Sequence, residues 1–289
     1  MSKQARQFGV QLDTAFQLEA SKVTHGEIKL FEALQAALRS LKGPFHVEEY
    51  HGGGHQVRFT GNVSHARLDA RCELSDLMIV SYSQKSAQVR MTYLQAKFER
   101  DPLAHPCYAR LSANLEQWYL LSQRPSVKPA TTTFLPPPDI LSSALLPSVG
   151  SFGFFYYHPK KGIQLFYASA IELHPLASGR YGKLASMRVC HTQTVRGHIE
   201  CQSACNTADF GSSLFRLDIG TPVHAAARPS ASVRSSLAST LRALPQSALA
   251  PDILALLGQD IPVAPDARPN GASGFGAKGL ILLQGETAN

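Results

Sequence analysis

The sequence is short of cysteine, tryptophan and charge, and it has no long apolar run. Its five cysteines are Cys72, Cys107, Cys190, Cys201 and Cys205. An odd count at irregular spacing in a chain of 289 residues argues against a disulfide framework, so reduced, partly buried thiols are expected. No stretch approaches the roughly 18 consecutive apolar residues that a membrane-spanning helix needs. The first residues, MSKQARQFGVQLD, contain no apolar core of a secretory signal. Secretion is therefore not expected, and the cytoplasm is the expected compartment. Charged residues make up 17% of the chain against 44% hydrophobic, the balance of a globular protein and not of a disordered one. The single tryptophan, Trp118, lies in an apolar helical pattern with Tyr119 and is read with it as core, not as a base-stacking group.

What charge there is leans one way. The formal net charge is +7 and the pI near 9.2, which favours anionic partners, nucleic acid first among them.

Apolar spacing predicts a helix over 26–42 (GEIKLFEALQAALRSLK), with Ile28, Phe31, Leu34, Leu38 and Leu41 on one side. Thr24 followed by Glu27 suits a capping box, and Gly43-Pro44 stops the helix. Strands are expected at 45–50 and 55–60 around HGGGH, a glycine turn, with 66–72 continuing the sheet. DLMIVSY (76–82) and VRMTYLQAKF (89–98) flank SQKSAQ and predict an antiparallel hairpin. A helix is expected over 107–123, with Leu111, Leu115, Trp118 and Leu121 on one side. The Pro-rich stretch 125–150 reads as a connection between a core at 1–124 and a further region at 151–289. In that region SFGFFYY (151–157) and IQLFYASA (163–170) form a second hairpin, 232–244 a short helix and 279–284 a strand.

Strand alternation gives the first hairpin its interest. Leu94, Ala96 and Phe98 share one face of the second strand, while Tyr93, Gln95 and Lys97 share the other. Asp76 sits at the entrance of the first strand, so a tight hairpin brings it beside Gln95 and Lys97. An acid, an oxygen-bearing amide and a lysine suit metal-assisted phosphodiester hydrolysis. Asp76 holds a hard cation such as Mg²⁺ (or Mn²⁺), and Gln95 Oε1 and the Ala96 carbonyl offer further oxygens. Lys97 orients or deprotonates the attacking water and offsets phosphate charge.

Asp76, then 18 residues, then Gln95-Ala96-Lys97 on a β-hairpin resembles the PD-(D/E)XK nuclease superfamily, the restriction-endonuclease-like group. The resemblance covers about residues 24–124. Ser75 stands where the family has its proline, and Gln95 where it has its second acid. The resulting Q-x-K form is similar to that of nuclease domains in bacterial anti-phage defence. The resemblance implies an α/β fold, a mixed sheet flanked by helices, carrying a C-terminal extension of mixed α+β structure. It implies a Mg²⁺-dependent endonuclease of bacterial defence or restriction, acting on double-stranded DNA, with a protein partner in a defence complex or a second copy of the chain as further associations. It also implies a glutamate on the first core helix. Glu27 fits that position, on the apolar side of its helix, and Glu73 is a supporting acid. The alternative is a catalytically degenerate nuclease fold that binds nucleic acid or a partner without cutting.

Arg90 and Arg100 flank the lysine strand and suit backbone phosphate contacts, as does the pair Lys160-Lys161 at a hairpin tip. Cys190, His191, His198, Cys201 and Cys205 match zinc spacing only loosely. His51–His55 reads as an exposed turn and Gly271–Gly279 as a flexible connection, neither fitting a phosphate loop.

Overall fold

The computed structural model describes residues 2–41, 45–49, 55–132, 134–176, 184–190, 203–242, 249–258 and 279–285. In chain order the elements are α1 (Lys3–Ala20), α2 (Glu27–Ser40), β1 (Phe45–Glu49), β2 (Gln56–Phe59), β3 (Ala70–Glu73), β4 (Leu77–Ser83), β5 (Gln88–Phe98), β6 (Arg110–Asn114), α3 (Leu115–Gln123) and β7 (Val127–Pro129). Then follow β8 (Gly150–His158), β9 (Gly162–Ser169), β10 (Leu173–Pro175), β11 (Leu184–Val189), β12 (Ser203–Ala204), α4 (Thr207–Phe215), β13 (Thr221–Pro222), α5 (Ala231–Arg242), α6 (Ala250–Leu257) and β14 (Gly279–Gln284).

The expected hairpin is β4–β5, paired antiparallel from Leu77↔Leu94 to Ser83↔Gln88. It lies inside an eight-stranded mixed sheet of order β1-β14-β4-β5-β8-β9-β12, with β13 added to β5. β14 runs parallel to β4, and β8 parallel to β5. Strands drawn from residue 150 onward thus share one sheet with the predicted core hairpin. Two three-stranded sheets, β10-β11-β6 and β3-β2-β7, complete the described architecture, a mixed α/β fold.

This central place buries both faces of β5, the Tyr93, Gln95 and Lys97 face as well as the Leu94 and Ala96 face, and its residues Val89–Lys97 are all buried. Leu77, Ile79, Leu94 and Ala96 pack with Phe8, Leu12 and Phe16 of α1, Leu30 and Leu34 of α2, and Phe210 of α4. Met78, Val80, Tyr82, Met91 and Tyr93 pack with Val233 and Leu237 of α5 and Ile253 of α6. Sheets containing parallel pairs are commonly covered on both sides, and their strands read as apolar runs like β4.

Helix α1 was not anticipated. Ala5, Phe8, Gly9, Leu12, Phe16 and Ala20 bury at helical spacing, and the Ser2 hydroxyl accepts the Ala5 N–H at 3.2 Å as an N-cap. α1 crosses α4 at Gly9 and Gly211; a Cβ on Gly9 would run into the Ala208 carbonyl oxygen and Ser212. Gln17 donates its amide N–H to the Ile163 carbonyl and Gln164 donates to Asp13, which tie α1 to β9.

Other boundaries shift for local reasons. α2 starts at Glu27 behind Gly26, without a side-chain cap from Thr24. Its buried stripe is Leu30, Ala33, Leu34, Ala37 and Leu38, leaving Ile28 exposed. Residues 110–114 are strand, so the helix expected over 107–123 begins only at Leu115, where the Asn114 Oδ1 accepts the N–H groups of Glu116 and Gln117. β1 and β2 do not form a hairpin: β1 pairs with β14, and β2 with β3 and β7. Residues 51–54 of the HGGGH turn and 271–278 of the glycine-rich connection lie outside the described residues. Among the described residues no helix is long and apolar enough to cross a membrane.

Cysteine usage also departs from expectation. Cys107, just before β6, is joined by a disulfide to Cys205, just after β12, with Cα atoms 6.1 Å apart. An odd count rules out complete pairing but not a single bridge. With Cys205 bonded, the loose zinc pattern loses one of its ligands; Cys190 remains a free thiol, and His191, His198 and Cys201 lie outside the described residues.

Candidate active site

The β4–β5 register builds the site. The Asp76 N–H donates to the Leu94 carbonyl at 3.1 Å, carrying the ladder one step past Leu77↔Leu94 and setting Asp76 opposite Gln95. Asp76 Oδ2 then accepts two donors: the Gln95 amide Nε2–H and the Ala96 backbone N–H at 2.9 Å. It is thus the N–H of Ala96, not its carbonyl, that the structure brings to the carboxylate. Lys97 is largely buried and reaches Glu27 at the start of α2, Nζ to Oε1 at 3.4 Å. Asp76 and Gln95 therefore meet as the hairpin arithmetic expects, Lys97 follows on the same face of β5, and Glu27, the acid implied by the resemblance, reaches Lys97 from α2.

The orientation of the Gln95 amide is informative. Its nitrogen faces Asp76, and its oxygen is buried without a hydrogen-bond partner. A buried acceptor left unmade costs about 1–3 kcal/mol. Oxygen and nitrogen ends of an amide differ little in shape, so the hydrogen-bond network decides which points where. Against a bare carboxylate, the N–H end turns inward. A cation held by Asp76 would favour the opposite half-turn, which brings Oε1 to the cation and satisfies it. Mg²⁺ takes oxygen ligands, keeps several waters and needs only one or two carboxylates. Asp76 and Gln95 Oε1 fit that demand. Among the described residues no three His, Cys, Asp or Glu side chains gather as a metal site.

The remaining expected residues separate. Glu73 ends β3 in another sheet, paired with Gln56. Arg100 is exposed. Arg90 does not face a ligand: it is 8% exposed and donates from Nη1 to the Gly220 carbonyl at 2.8 Å. The antiparallel addition of β13 covers it, with Arg90↔Pro222 in register. Trp118 is core, as expected, its indole N–H donating to the Leu173 carbonyl at 2.6 Å.

Glu99 belongs with the site but was not singled out. It continues the alternation Gln95, Lys97, Glu99, and that parity was the available signal. It is 9% exposed, and Oε1 accepts the Ser112 backbone N–H from β6. Burial pushes its carboxyl above the usual range, Asp101 adds to the rise, and the Ser112 hydrogen bond opposes it. A carboxyl whose folded pKa is raised stabilises the fold fully below the unfolded pKa near 4.3, and that contribution is lost as pH rises through the folded pKa. Glu99→Gln keeps the acceptor for Ser112 and removes the buried charge. The variant is expected to melt above the native protein at pH 8 and together with it at pH 4, as read by thermal unfolding across that range; equal melting at pH 8 would contradict the burial argument.

No family model, curated protein or solved structure matches the chain, so the geometry of the site carries the functional reading.

Proposed function

We propose that the protein is a divalent-metal-dependent nuclease of the PD-(D/E)XK type, in its Q-x-K form, cutting double-stranded DNA in bacterial defence or restriction. The observation that carries the reading is the convergence of the Asp76 carboxylate, the Gln95 amide and the Lys97 ammonium at one end of the β4–β5 hairpin, with Glu27 brought in by α2. In this reading Asp76 and Gln95 Oε1 hold Mg²⁺ or Mn²⁺. Such an ion polarises a phosphoryl oxygen and lowers the pKa of water.

The chain's own groups supply the rest. Lys97 sits one strand step from Gln95 on the same face, where its ammonium offsets phosphate charge and orients the attacking water. Glu27 restrains that ammonium through the 3.4 Å contact and adds the negative charge that Gln95 lacks. The N–H of Ala96 fixes the Asp76 carboxylate.

A second reading has its own support. The Asp76 carboxylate already accepts the Gln95 amide N–H and the Ala96 N–H without a cation, which suits a degenerate nuclease fold that binds nucleic acid or a partner protein without cutting. Incubating the protein with plasmid and Mg²⁺ or Mn²⁺ separates the two. Cleavage is expected, reduced about a hundredfold or more in Lys97→Ala. Undiminished cleavage by that variant would remove Lys97 from the site, and no cleavage with either metal would favour the degenerate reading.

A further inference from the structure

The small sheet β10-β11-β6 aligns its basic residues. The register pairs His174 of β10 with Arg188 of β11, and Arg188 with Arg110 of β6. All three side chains are exposed, while Leu173, Met187 and Leu111 of the same strands are buried. Facing residues in adjacent strands lie about 5 Å apart. Three cationic or protonatable groups therefore form one row across the sheet. None of the residues of these strands is acidic, and among the described residues none of the three is in an ion pair or side-chain hydrogen bond. Like charges directly opposite one another destabilise a sheet, so the Arg188–Arg110 pairing is unfavourable for the isolated protein. A ligand carrying closely spaced negative charges reverses that sign.

The row is tied to the candidate active site. β6 is an edge strand of its sheet, and its Ser112 N–H is held by Glu99, two residues beyond Lys97. The segment leading into β6 borders a cavity of about 140 Å³, which His105 lines together with His158 and Lys161 of the β8–β9 hairpin. The His158 Nδ1 accepts the Lys160 N–H at 3.0 Å, which leaves Nε2 of that neutral ring as a donor.

We propose that the outer face of β10-β11-β6, through His174, Arg188 and Arg110, is the track that holds the phosphate backbone of duplex DNA and leads it to the Asp76–Lys97 site. The row crosses two strand spacings, about 10 Å, enough for two or three successive phosphates at about 3.4 Å of axial rise each. Arginine forks match phosphate geometry in a way that lysine does not. This inference rests on the nucleic-acid reading above but not on catalysis.

The test is the double variant Arg110→Gln with Arg188→Gln, measured by fluorescence anisotropy with a short duplex oligonucleotide across a salt series in EDTA. Both side chains are exposed, so the variant is expected to fold and to melt at or above the native temperature. Affinity is expected to fall about tenfold or more, and the slope of log K against log salt to become shallower by about 1.8, since each neutralised phosphate contributes about 0.9. Unchanged affinity and slope would overturn the track. The outcomes separate the two claims. A native protein that binds duplex but cuts nothing, with the slope reduced in the variant, keeps the track and removes the nuclease. A native protein that cuts, with a variant that binds unchanged, does the reverse. A native protein that binds no duplex at any salt removes both.

Discussion

Serine in place of Cys107 or Cys205 is expected to lower the free energy of unfolding by about 4–5 kcal/mol. The bond joins residues 98 apart in sequence, and a loop of that size restricts the unfolded chain strongly. The closed loop contains β6, α3, β8, β9 and β11, so the cross-link acts on both the large sheet and the β10-β11-β6 sheet. Urea unfolding with and without a thiol reductant checks this. The reduced native protein and the oxidised Cys205→Ser variant should share one lowered midpoint. A native midpoint indifferent to reductant would mean that the bridge contributes nothing. Disulfides persist in oxidising compartments and are rare in reducing ones, so the same chain has two stabilities according to where it resides.

Glutamate in place of Gln95 carries the second large expected effect. The new carboxyl would lie buried against Asp76, where the amide N–H now donates. Two carboxylates at hydrogen-bond distance do not both ionise, so the pair keeps one proton. Holding a carboxyl of ordinary pKa near 4.3 protonated at pH 7 costs about 3.7 kcal/mol. The variant should therefore be less stable than the native protein by about that amount at pH 7 in EDTA, and close to it in stability at pH 4. The sign follows from the raised pKa: stability is intact below the unfolded value and lost as pH climbs. A divalent cation lets both carboxylates ionise, so Mg²⁺ should raise the melting temperature of Gln95→Glu far more than that of the native protein. A variant as stable as the native protein at pH 7 in EDTA would contradict the juxtaposition of residues 76 and 95. A variant destabilised but insensitive to Mg²⁺ or Mn²⁺ would leave the juxtaposition standing and argue against a metal there.

The sequence carried the site better than the layers around it. Strand alternation and hairpin spacing were enough to bring Asp76 to Gln95, because register in a tight hairpin is a local property. The strand at 279–284 and the helix near 232–244 were also legible from composition, and β14 and α5 occupy those positions. The partner of β14 was not legible, since a parallel pairing to β4 across roughly 200 residues leaves no local signature. The same holds for the burial of Arg90: its cover is β13, which joins β5 from 130 residues away. Glu99 was missed although its parity was visible, because no short motif named it. The bridge between Cys107 and Cys205 could not be read from spacing, which depends on where β6 and β12 come to rest.

The placement of β14 also bears on biosynthesis. Gly279 pairs with Leu77, the neighbour of Asp76, and among the described residues β1 joins the sheet through β14. A ribosome adds about 5–20 residues per second, so the chain spends tens of seconds with β4 unpaired along one edge. During that interval the Asp76 end of the hairpin has β8 to flank β5 but no strand along β4, and β1 lacks its β14 partner. Such an open edge is a template for pairing with other chains until β14 covers it.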